Sequence, residues 1–303
     1  MLSIVVPCYN EASCIDAFLE AVRAINPNGG DYEVIFVDDG STDDTLKLIR
    51  ENAGVSGNVH YMSFSRNFGK ESALIAGLKK ATGDLVVTMD VDLQDPPSYL
   101  PKMLDGIAEG FDSVATRRST RAGEPPIRSW FARRFYWLMR HFSDVELVDG
   151  ARDYRMMTRK VVNAIISMPE NNRFTKGIYQ WVGFRTKWIS YENVERRSGE
   201  TKWSFWKLFK YSIDGILAFT TAPLQIASWI GLLSCLGSFS YLCWIFVRVM
   251  IWGDPVAGWP SMVCIIVFLG GVQLLMIGVL GAYLSKVYLE TKRRPMYIVS
   301  EEG

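Results

Sequence analysis

Cysteine is scarce in this sequence, and its spacing excludes two kinds of site. Five cysteines occur among 303 residues, and no two of them form a C-x-x-C pair. They are Cys8, Cys14, Cys235, Cys243 and Cys264. Three of the five lie in apolar segments, where cysteine behaves as a small hydrophobic side chain. The sequence therefore predicts neither a disulfide framework nor a zinc site.

Other common functional patterns are also missing. The chain has no G-x-x-x-x-G-K-[ST] motif, so phosphoryl transfer by a P-loop is not supported. No G-x-G-x-x-G motif follows the first candidate strand, which disfavours a dinucleotide-binding fold. The two histidines, His60 and His141, have no partners at metal-ligand or triad spacing. Nothing before Ser3 resembles a signal peptide, so we expect the N-terminal domain to stay in the cytosol.

The charge of the chain is nearly balanced overall but unevenly distributed. The formal net charge is +1, yet residues 1–100 contain 15 acidic and 7 basic side chains, a net of −8, which leaves +9 for the remainder. Arginines cluster within residues 117–140. We therefore favour an acidic half suited to a metal and a basic half suited to phosphate over random scatter of charge.

Two long segments, residues 215–247 and 255–285, contain no charged side chain. Each exceeds the roughly 20 apolar residues that a helix needs to cross a bilayer, and runs this long make two buried core helices improbable. Trp252 and Trp259 flank the short connector, as expected for a membrane interface. Basic residues follow the second segment, namely Lys286, Lys292, Arg293 and Arg294. The positive-inside rule then predicts a hairpin with both ends of the chain in the cytosol.

The first 120 residues alternate between short apolar runs and longer amphipathic stretches. Candidate strands lie at residues 2–7, 32–38, 58–64, 84–90 and 112–116. Candidate helices lie between them, at residues 12–25, 43–52, 70–81 and 97–108. This alternation predicts an α/β fold with a doubly wound, mostly parallel sheet.

Two further stretches, residues 127–142 and 203–219, combine aromatic and basic side chains at helical spacing. Both fit helices that lie on an anionic bilayer surface. The alternative is that they are ordinary helices packed on the sheet. The surface interpretation is the stronger one for 203–219, because a predicted membrane span follows it directly.

The most informative motif is a pair of carboxylates at the end of an apolar run. Residues 84–89 are typical of a buried parallel strand, which ends at Asp90 and Asp92, and Gln94 follows. Open α/β sheets bind ligands at the carboxyl ends of their strands. Carboxylate and amide oxygens there suit a hard divalent cation that also holds a diphosphate. An isolated D-x-D is usually a solvated turn, but a second acidic strand end and the predicted membrane anchor favour a functional site.

The ends of neighbouring strands supply groups for a nucleotide. Tyr9, after the first strand, offers an aromatic face to a base. Asp39, after the second, is suited to accept from a uracil N3–H or a ribose hydroxyl. Asp92 and Gln94 are suited to ligate a metal, and Asp90 to bind a ribose or a metal. These residues outline a site for a nucleotide diphosphate, the leaving half of an activated donor.

Clusters of arginine and lysine provide candidate ligands for phosphate. The first cluster comprises Arg117, Arg118, Arg121, Arg128, Arg133 and Arg134. The second comprises Arg196, Arg197 and Lys202, directly before the stretch at 203–219. Guanidinium groups match phosphate oxygens in pairs, and lysine supplies a point charge. A phosphate held beside a membrane suggests a lipid phosphate, although these charges also suit anionic headgroups alone.

Asp153 is the remaining carboxylate of interest. Its carboxylate is suited to orienting the acceptor of the group that the donor carries, to orienting Arg155, or to accepting a proton. A structural ion pair with Arg155 or Arg152 is an equal alternative. A phosphate acceptor is already largely ionised at neutral pH, so the reaction does not require a strong general base.

Taken together, these motifs resemble those of the family 2 glycosyltransferases. The resemblance rests on residues 5–11 (VVPCYNE), 37–43 (VDDGSTD) and 90–96 (DVDLQDP). It narrows to the polyprenyl-phosphate glycosyltransferases, which include the dolichyl-phosphate mannose synthases, through residues 65–71 (SRNFGKE), 153–157 (DYRMM) and 199–203 (GETKW). The tail is most similar to the bactoprenol (undecaprenyl-phosphate) glucosyltransferases of phage and bacterial O-antigen modification, through residues 253–261, 268–274 and 294–299.

The resemblance implies a glycosyltransferase A-type, Rossmann-like domain, a divalent metal (Mg or Mn) and an inverting transfer. Our candidates for binding the nucleotide are Pro7, Tyr9, Glu11, Asp38, Asp39, Lys70 and Asp90. The candidate metal ligands are Asp90, Asp92 and Gln94. The candidates near the acceptor phosphate or diphosphate are Arg117 (or Arg118), Arg128, Arg196 and Lys202. Asp153 occupies an acidic position that is sometimes assigned as catalytic in the family.

We therefore expect a membrane-anchored enzyme of the bacterial inner membrane that transfers a hexose, with glucose as the leading candidate, from a UDP-sugar to undecaprenyl phosphate. The product would serve O-antigen or other surface-glycan modification. The expected partners are the donor, the polyprenyl phosphate and the lipid bilayer, with no nucleic acid. By analogy we expect a homo-oligomer, a tetramer, and residues 297–299 are suited to pair as a strand with a neighbouring subunit.

The expected domains are a cytosolic catalytic domain (1–202), an interfacial helix (203–222), a transmembrane hairpin (223–285) and a cytosolic tail (286–303). Transfer of a different sugar, or to a dolichol-like lipid, stays open. A processive polysaccharide synthase is disfavoured, because the chain lacks a Q-x-x-R-W segment and two spans are too few for a polymer channel. A non-catalytic scaffold is disfavoured by the intact carboxylates and Gln94.

Overall fold

A computed structural model describes residues 1–118, 148, 150–168, 170, 171, 173–191, 220–252 and 258–303. In this part of the chain one mixed sheet contains β1 (Leu2–Cys8), β2 (Tyr32–Asp38), β3 (Val59–Phe64), β4 (Leu85–Thr88), β5 (Ser113–Arg118), β6 (Ala151–Thr158), β7 (Thr186–Tyr191) and β8 (Val299–Glu302). The spatial order is β7-β5-β6-β4-β1-β2-β3-β8. The centre, β4-β1-β2-β3, is parallel, whereas β6 runs antiparallel between β4 and β5, and β8 runs antiparallel to β3.

Helices connect and flank these strands. They are α1 (Ile15–Ile25), α2 (Thr45–Val55), α3 (Lys70–Lys80), α4 (Leu100–Ala108), α5 (Arg159–Ile166), α6 (Thr175–Trp181), α7 (Ala222–Trp252) and α8 (Trp259–Thr291). The five strands and four helices predicted for the first 120 residues are confirmed, with ends shifted by a few residues. The α/β fold with a mostly parallel central sheet is confirmed as well.

Helix α1 illustrates how the sequence forms these elements. Its buried residues are Ile15, Phe18, Leu19 and Val22, a spacing that places them on one face of a helix. The helix ends at Asn26, which adopts a left-handed conformation with φ of 48°. Asparagine tolerates this conformation better than most residues, so it makes a suitable helix end.

The core consists of two layers, one on each face of the sheet. Along β1, Ile4 and Val6 join the cluster that includes Phe18 of α1. Val5 points to the other face and joins the cluster that includes Ile75 of α3 and Val162 of α5. A sheet covered on both faces explains why its central strands are nearly continuous apolar runs rather than alternating ones.

The C-terminal residues form a strand that extends the sheet of their own chain, and pairing of residues 297–299 with a neighbouring subunit stays a prediction. β8 pairs with β3, with Met62 opposite Glu302 and Phe64 opposite Val299. The ring of Tyr297 stacks on Phe64 at a centroid distance of 4.9 Å. A strand at the edge of a sheet has unpaired backbone groups. Those of β3 pair with β8, which follows the last helix.

Helices α7 and α8 each contain a window long and apolar enough to cross a membrane, by length and composition: Ala222–Tyr241 and Phe268–Thr291. Hardly any of either window is buried against the rest of the chain. Large apolar side chains such as Trp229, Leu233 and Leu275 are consequently exposed. This pattern agrees with the two predicted uncharged segments and indicates association with a membrane. The predicted surface helices at 127–142 and 203–219 lie outside the described residues.

Candidate active site

The loops after β1 and β2 are joined by hydrogen bonds at the carboxyl edge of the sheet. The backbone N–H of Asn10 donates to Ser41 Oγ at 2.9 Å, and that of Glu11 donates to Thr45 Oγ1 at 2.8 Å. In return, Asn10 Oδ1 accepts from the N–H of Thr42 at 2.8 Å. These bonds fix the backbone around Tyr9, whose side chain remains 38% exposed. The aromatic face predicted to meet a base is therefore accessible.

Asp39 connects the second strand to the loop that follows the third. It is 3% exposed, and its two carboxylate oxygens accept from the backbone N–H groups of Phe68 (2.6 Å) and Gly69 (2.9 Å). Burial raises the pKa of Asp39, and these two hydrogen bonds oppose the rise. Asp39 thus positions the segment that leads into Lys70, and each of its oxygens has a second lone pair for a ligand.

Gly40 allows this close approach. Its φ is +70°, and a Cβ at this position would lie 2.5 Å from the backbone carbon of Arg66. Only glycine combines that conformation with that contact. The glycine of the D-D-G sequence is therefore required by the packing of two loops.

The carboxylate of Asp38 is buried among hydrogen-bond donors of the protein itself. It is 1% exposed, and its oxygens accept from Ser63 Oγ at 2.8 Å and from the N–H of Ser41 at 3.1 Å. Ser63 lies opposite Asp38 on β3. As placed here, Asp38 supports the loop at the site, and its predicted contact with a nucleotide stays a prediction.

Lys70 lies between two of the predicted site carboxylates. Its ammonium is 2.6 Å from Asp90 Oδ1 and 2.8 Å from Asp153 Oδ2. Lys70 begins α3, Asp90 follows β4, and Asp153 lies on β6 next to β4. The antiparallel insertion of β6 thus brings Asp153 to the metal and diphosphate motif. The ion pair of Asp153 is with Lys70, rather than with Arg155 or Arg152 as the sequence suggested.

The protonation of this cluster follows from its charges. Burial opposes ionisation of Asp153, but the positive charges of Lys70 and Lys176 outweigh it and hold the pKa of Asp153 well below its usual range. Burial likewise disfavours the charged form of Lys70, yet Asp153 and Asp90 raise the pKa of its ammonium. Asp153 is therefore ionised at neutral pH and is a weak base.

The segment after Asp92 has an unusual backbone. Leu93 adopts a φ of +55°, a left-handed conformation that is rare for a large side chain. The N–H of Gln94 donates to Asp92 Oδ1 at 3.1 Å, and Gln94 Oε1 accepts from Arg152 Nη2 at 3.2 Å. Strained conformations of this kind cluster at functional sites, which agrees with the role predicted for this motif.

A buried polar group next to this motif was missed from the sequence. Asp95 is 1% exposed, and its Oδ1 accepts from Arg152 Nε at 3.1 Å and from the hydroxyl of Tyr191. Burial raises the pKa of Asp95, and the charge of Arg152 opposes the rise. Asp95 and Arg152 are 57 residues apart, so no local pattern joins them, although the acidic residue before Pro96 was part of the family motif.

The donor chemistry of the site fits a hard cation. Within the described residues no three His, Cys, Asp or Glu side chains lie together so as to hold a metal by themselves. Mg²⁺, however, is usually held by one or two carboxylates together with substrate phosphates. Asp92 and Gln94 supply such oxygens, and Gln94 Oε1, which accepts one hydrogen bond from Arg152, has a second lone pair for a cation. Asp90 is the weaker candidate ligand, since the ammonium of Lys70 already compensates its charge.

The predicted phosphate ligands are only partly described. Arg117 lies on β5 opposite Ala151, two residues from Asp153, and its Nε donates to Ser190 Oγ at 2.9 Å. Its side chain is exposed beside the site. Arg128, Arg196 and Lys202 lie outside the described residues.

Arg155 is a buried cation that sequence reasoning considered only as a partner of Asp153. It is 2% exposed, its Nη1 donates to Ser113 Oγ at 3.1 Å, and its guanidinium lies 4.5 Å from the ring centroid of Tyr179. Burial lowers the pKa of Arg155 to about 10. Its environment is aromatic and hydroxylic, which points to a structural role under the site.

Comparisons with known proteins agree with this arrangement. The sequence model of glycosyl transferase family 2 matches residues 3–166, more than half of the chain. The chain belongs to glycosyl transferase family 2 and is a glycosyltransferase.

Known relatives match almost the entire chain. It is 42% identical over 299 residues to the bactoprenol glucosyl transferase of Shigella phage SfX, and the matched residues cover 98% of each chain. It is 41% identical over 299 residues to a prophage bactoprenol glucosyl transferase homolog of Escherichia coli, again over 98% of each. It is 40% identical over 302 residues to the CsbB protein of Bacillus subtilis, over 99% of this chain and 92% of that one. The similarity therefore extends through the two apolar helices as well as the sheet domain.

Proposed function

We propose that this glycosyltransferase moves glucose from UDP-glucose to undecaprenyl phosphate (bactoprenol phosphate) at the surface of the bacterial inner membrane. The observation that carries the proposal is the identity of about 40% with two bactoprenol glucosyl transferases over both the sheet domain and the apolar helices. A lipid acceptor explains why a nucleotide-sugar site would be joined to two helices that expose apolar side chains. Attachment to the membrane would also confine the search of the enzyme for its lipid acceptor to the plane of the bilayer.

The proposed donor site lies along the ends of β1, β2 and β4. We assign the base and ribose to the region of Pro7, Tyr9, Glu11 and the two aspartates Asp38 and Asp39. The loop bonds around Asn10 and Asp39 support this assignment, because they hold the donor-binding backbone in place before the donor arrives.

The diphosphate is assigned to the segment that contains Asp90, Asp92 and Gln94. A divalent cation, Mg or Mn, would be held there by Asp92 with Gln94 and, less directly, Asp90. When bound, it supplies positive charge that stabilises the departing UDP. Lys70, fixed between Asp90 and Asp153, places an ammonium in the same region and offsets part of the negative charge of these two carboxylates.

The acceptor approaches from the side of Asp153 and Arg117. In the proposed inverting step, an oxygen of the lipid phosphate forms a bond to the anomeric carbon while the bond from that carbon to UDP breaks. Because the phosphate is already ionised, no proton needs to be removed. The low pKa of Asp153 supports the same conclusion, since an acid this strong is a poor base.

Asp153 therefore acts by position and charge. It holds the Lys70 ammonium in place through their ion pair. Arg117, Arg128, Arg196 and Lys202 are proposed to neutralise the lipid phosphate, whose repulsion from the donor diphosphate would otherwise oppose approach.

For the membrane arrangement, we propose that α7 and α8 cross the bilayer as a hairpin with the catalytic domain on the cytosolic side. The basic residues that follow α8 support this orientation. Assembly as a tetramer and use of the product for O-antigen or other surface-glycan modification are part of the same proposal.

The test is direct. Membranes that contain the chain are incubated with labelled UDP-glucose and undecaprenyl phosphate, and the label is followed into an organic-extractable product that is labile to mild acid. Label in that product supports the proposal. Label in polymer would contradict the proposed acceptor. Transfer from another UDP- or GDP-sugar, with none from UDP-glucose, would contradict the proposed sugar.

A further inference from the structure

An open groove lies where the last helix meets the catalytic domain. It has a volume of about 830 Å³, and its lining residues are Lys79, Glu170, Asn171, Glu290 and residues 293–297. We refer to it as the juxtamembrane groove. Its two sides are held together, because the backbone N–H of Asn171 donates to Glu290 Oε1 at 2.8 Å. The groove directly follows the apolar window of α8, which ends at Thr291.

Cations outnumber carboxylates in the lining of the groove. Lys79 projects from the catalytic domain, and Arg293 and Arg294 follow α8. All three side chains are exposed. Two carboxylates also belong to the lining: Glu290 accepts from the backbone N–H and the side-chain amide of Asn171, and Glu170 is the other, so three positive charges face two negative ones. Among the described residues no ion pair involves Arg293 or Arg294.

The backbone of Arg293 singles it out among these cations. It has a φ of +48°, and its N–H donates to the carbonyl of Glu290 at 3.1 Å as the helix ends. This left-handed position after a helix is usually glycine or asparagine, because other side chains are strained there. An arginine in this strained position is a candidate for a functional side chain.

The groove is separate from the proposed donor and acceptor sites. Lys70 and Lys79 lie at the two ends of α3. With a rise of 1.5 Å per residue, their backbones are about 14 Å apart. Lys70 belongs to the carboxylate cluster of the active site, whereas Lys79 belongs to the groove. A phosphate bound in the groove would therefore not be the one that reacts.

We propose that the juxtamembrane groove binds the phosphate of an anionic phospholipid headgroup, such as phosphatidylglycerol, with Arg293 as its principal ligand and Arg294 and Lys79 beside it. Guanidinium groups bind phosphate oxygens through paired, charge-assisted hydrogen bonds. Basic pockets at the cytosolic end of membrane helices are suited to acidic headgroups. A lipid bound there would join the end of α8 to the catalytic domain. The inference rests on α8 lying in a membrane, as in the proposed function.

The structure offers a matched control for simple charge attraction. Lys292 is the neighbour of Arg293, but it does not line the groove, and its ammonium lies 4.2 Å from the ring centroid of Tyr288. Replacing either residue removes one positive charge at the same depth. Only replacement of Arg293 removes a ligand from the groove.

The experiment uses the full chain in a neutral detergent. Phosphatidylglycerol, phosphatidylcholine and inorganic phosphate are titrated separately, without donor or acceptor, and binding is followed by native mass spectrometry. The variants are Arg293→Asn, which keeps a residue that tolerates the left-handed conformation, and Lys292→Asn. We expect Arg293→Asn to weaken binding of phosphatidylglycerol roughly tenfold and Lys292→Asn to weaken it less than twofold. The melting temperature of Arg293→Asn should equal or exceed that of the wild type, which checks folding.

Three outcomes would overturn the proposal. Equal weakening by the two variants would show that charge alone attracts the lipid. Binding of phosphatidylcholine as tight as that of phosphatidylglycerol would exclude recognition of an anionic headgroup. Binding of inorganic phosphate as tight as that of phosphatidylglycerol would assign the groove to a free phosphate. Glucosyl transfer, measured on the same preparation, tests the proposed function separately, since its absence would leave the lipid-binding result unchanged.

Discussion

The ammonium of Lys70 lies 2.8 Å from Oδ2 of Asp153, a residue 83 positions further along the chain. The same ammonium contacts Asp90, so one lysine joins the first residue of the D-x-D motif to the carboxylate on β6. This relationship makes Lys70 the electrostatic centre of the site. Removing its charge would leave two carboxylates facing each other.

The first prediction concerns that charge. In the wild type, the pKa of Asp153 is lowered, so its contribution to stability is fully present above the ordinary carboxyl pKa of about 4 and is lost only as the pH falls below that value toward the folded pKa. In Lys70→Gln, burial is no longer opposed by Lys70, and the pKa of Asp153 should rise. We expect transfer to fall at least tenfold and the acid limb of the pH–rate profile to move upward by at least about one unit.

Lys70→Arg serves as the control, because it keeps the charge with a different shape. Its pH–rate profile should stay close to that of the wild type even if its rate is lower. A Lys70→Gln enzyme with an unchanged acid limb would refute the role assigned to this ion pair.

The second prediction concerns the metal ligand. Asp92→Asn should reduce glucosyl transfer by a factor of about 100 or more, because it removes the carboxylate that is proposed to hold the cation at the departing diphosphate. The matched control is Asp105→Asn, an exposed acid on α4, which should leave the rate unchanged. Titration with Mn²⁺ should show weaker activation of Asp92→Asn alone. Turnover like that of the wild type in Asp92→Asn would exclude the metal role.

The third prediction concerns the contact between two loops. A Cβ on Gly40 would lie 2.5 Å from the Arg66 backbone carbon, and its φ is +70°. We expect Gly40→Ala to lower the free energy of unfolding by about 2–3 kcal/mol and to weaken UDP binding, because the loop held by Asp39 must move.

Gly54 provides the comparison, since it lies near the end of α2 and a Cβ there would meet nothing within 4 Å. Gly54→Ala should leave stability unchanged or raise it by up to about 1 kcal/mol. Melting temperatures and UDP titrations of the two variants check both expectations. Equal effects of the two substitutions would contradict the packing argument.

The fourth prediction concerns the C-terminal segment. Tyr297 stacks on Phe64, and Phe64 in turn contacts Phe68 at a centroid distance of 5.8 Å. Since the N–H of Phe68 donates to Asp39, loss of the Tyr297 ring should loosen the donor-binding loop. We expect Tyr297→Ala to destabilise the chain by about 2 kcal/mol and to raise the KM for UDP-glucose more than it lowers kcat.

Tyr297→Phe keeps the ring and should behave like the wild type in both measurements. Glu302→Gln removes the ion pair with Lys80 at the far end of β8, away from the loop, and should leave the KM unchanged. If Tyr297→Ala lowered only the fraction of enzyme that is active and left the KM for UDP-glucose unaltered, the contact would be purely structural and would not act on the donor-binding loop.

Much of the fold could be predicted because its information is local. The apolar runs of β1 to β4 and the spacing of buried residues in α1 follow directly from the periodicity of strands and helices. The parallel pairing of β1, β2 and β4 then places the segments after Cys8, Asp38 and Thr88 at one edge of the sheet.

The rest depends on contacts between distant parts of the chain. Nothing in the local pattern near Asp153 predicts that β6 inserts antiparallel between β4 and β5. The same holds for the bond between Asp95 and Arg152, and for β8, which extends the sheet of its own chain beside β3.

The sequence by itself determined the class of the fold, the edge of the sheet where carboxylates gather, and the presence of two segments too apolar to remain in water. Each of these depends on residue type and short-range spacing. Only the tertiary structure decided which cation meets which carboxylate: Lys70 rather than Arg155 or Arg152 binds Asp153, and Arg152 binds Asp95. The reason is physical, because an ion pair is set by distances of a few ångströms, and these distances arise only when the order of the strands has been fixed.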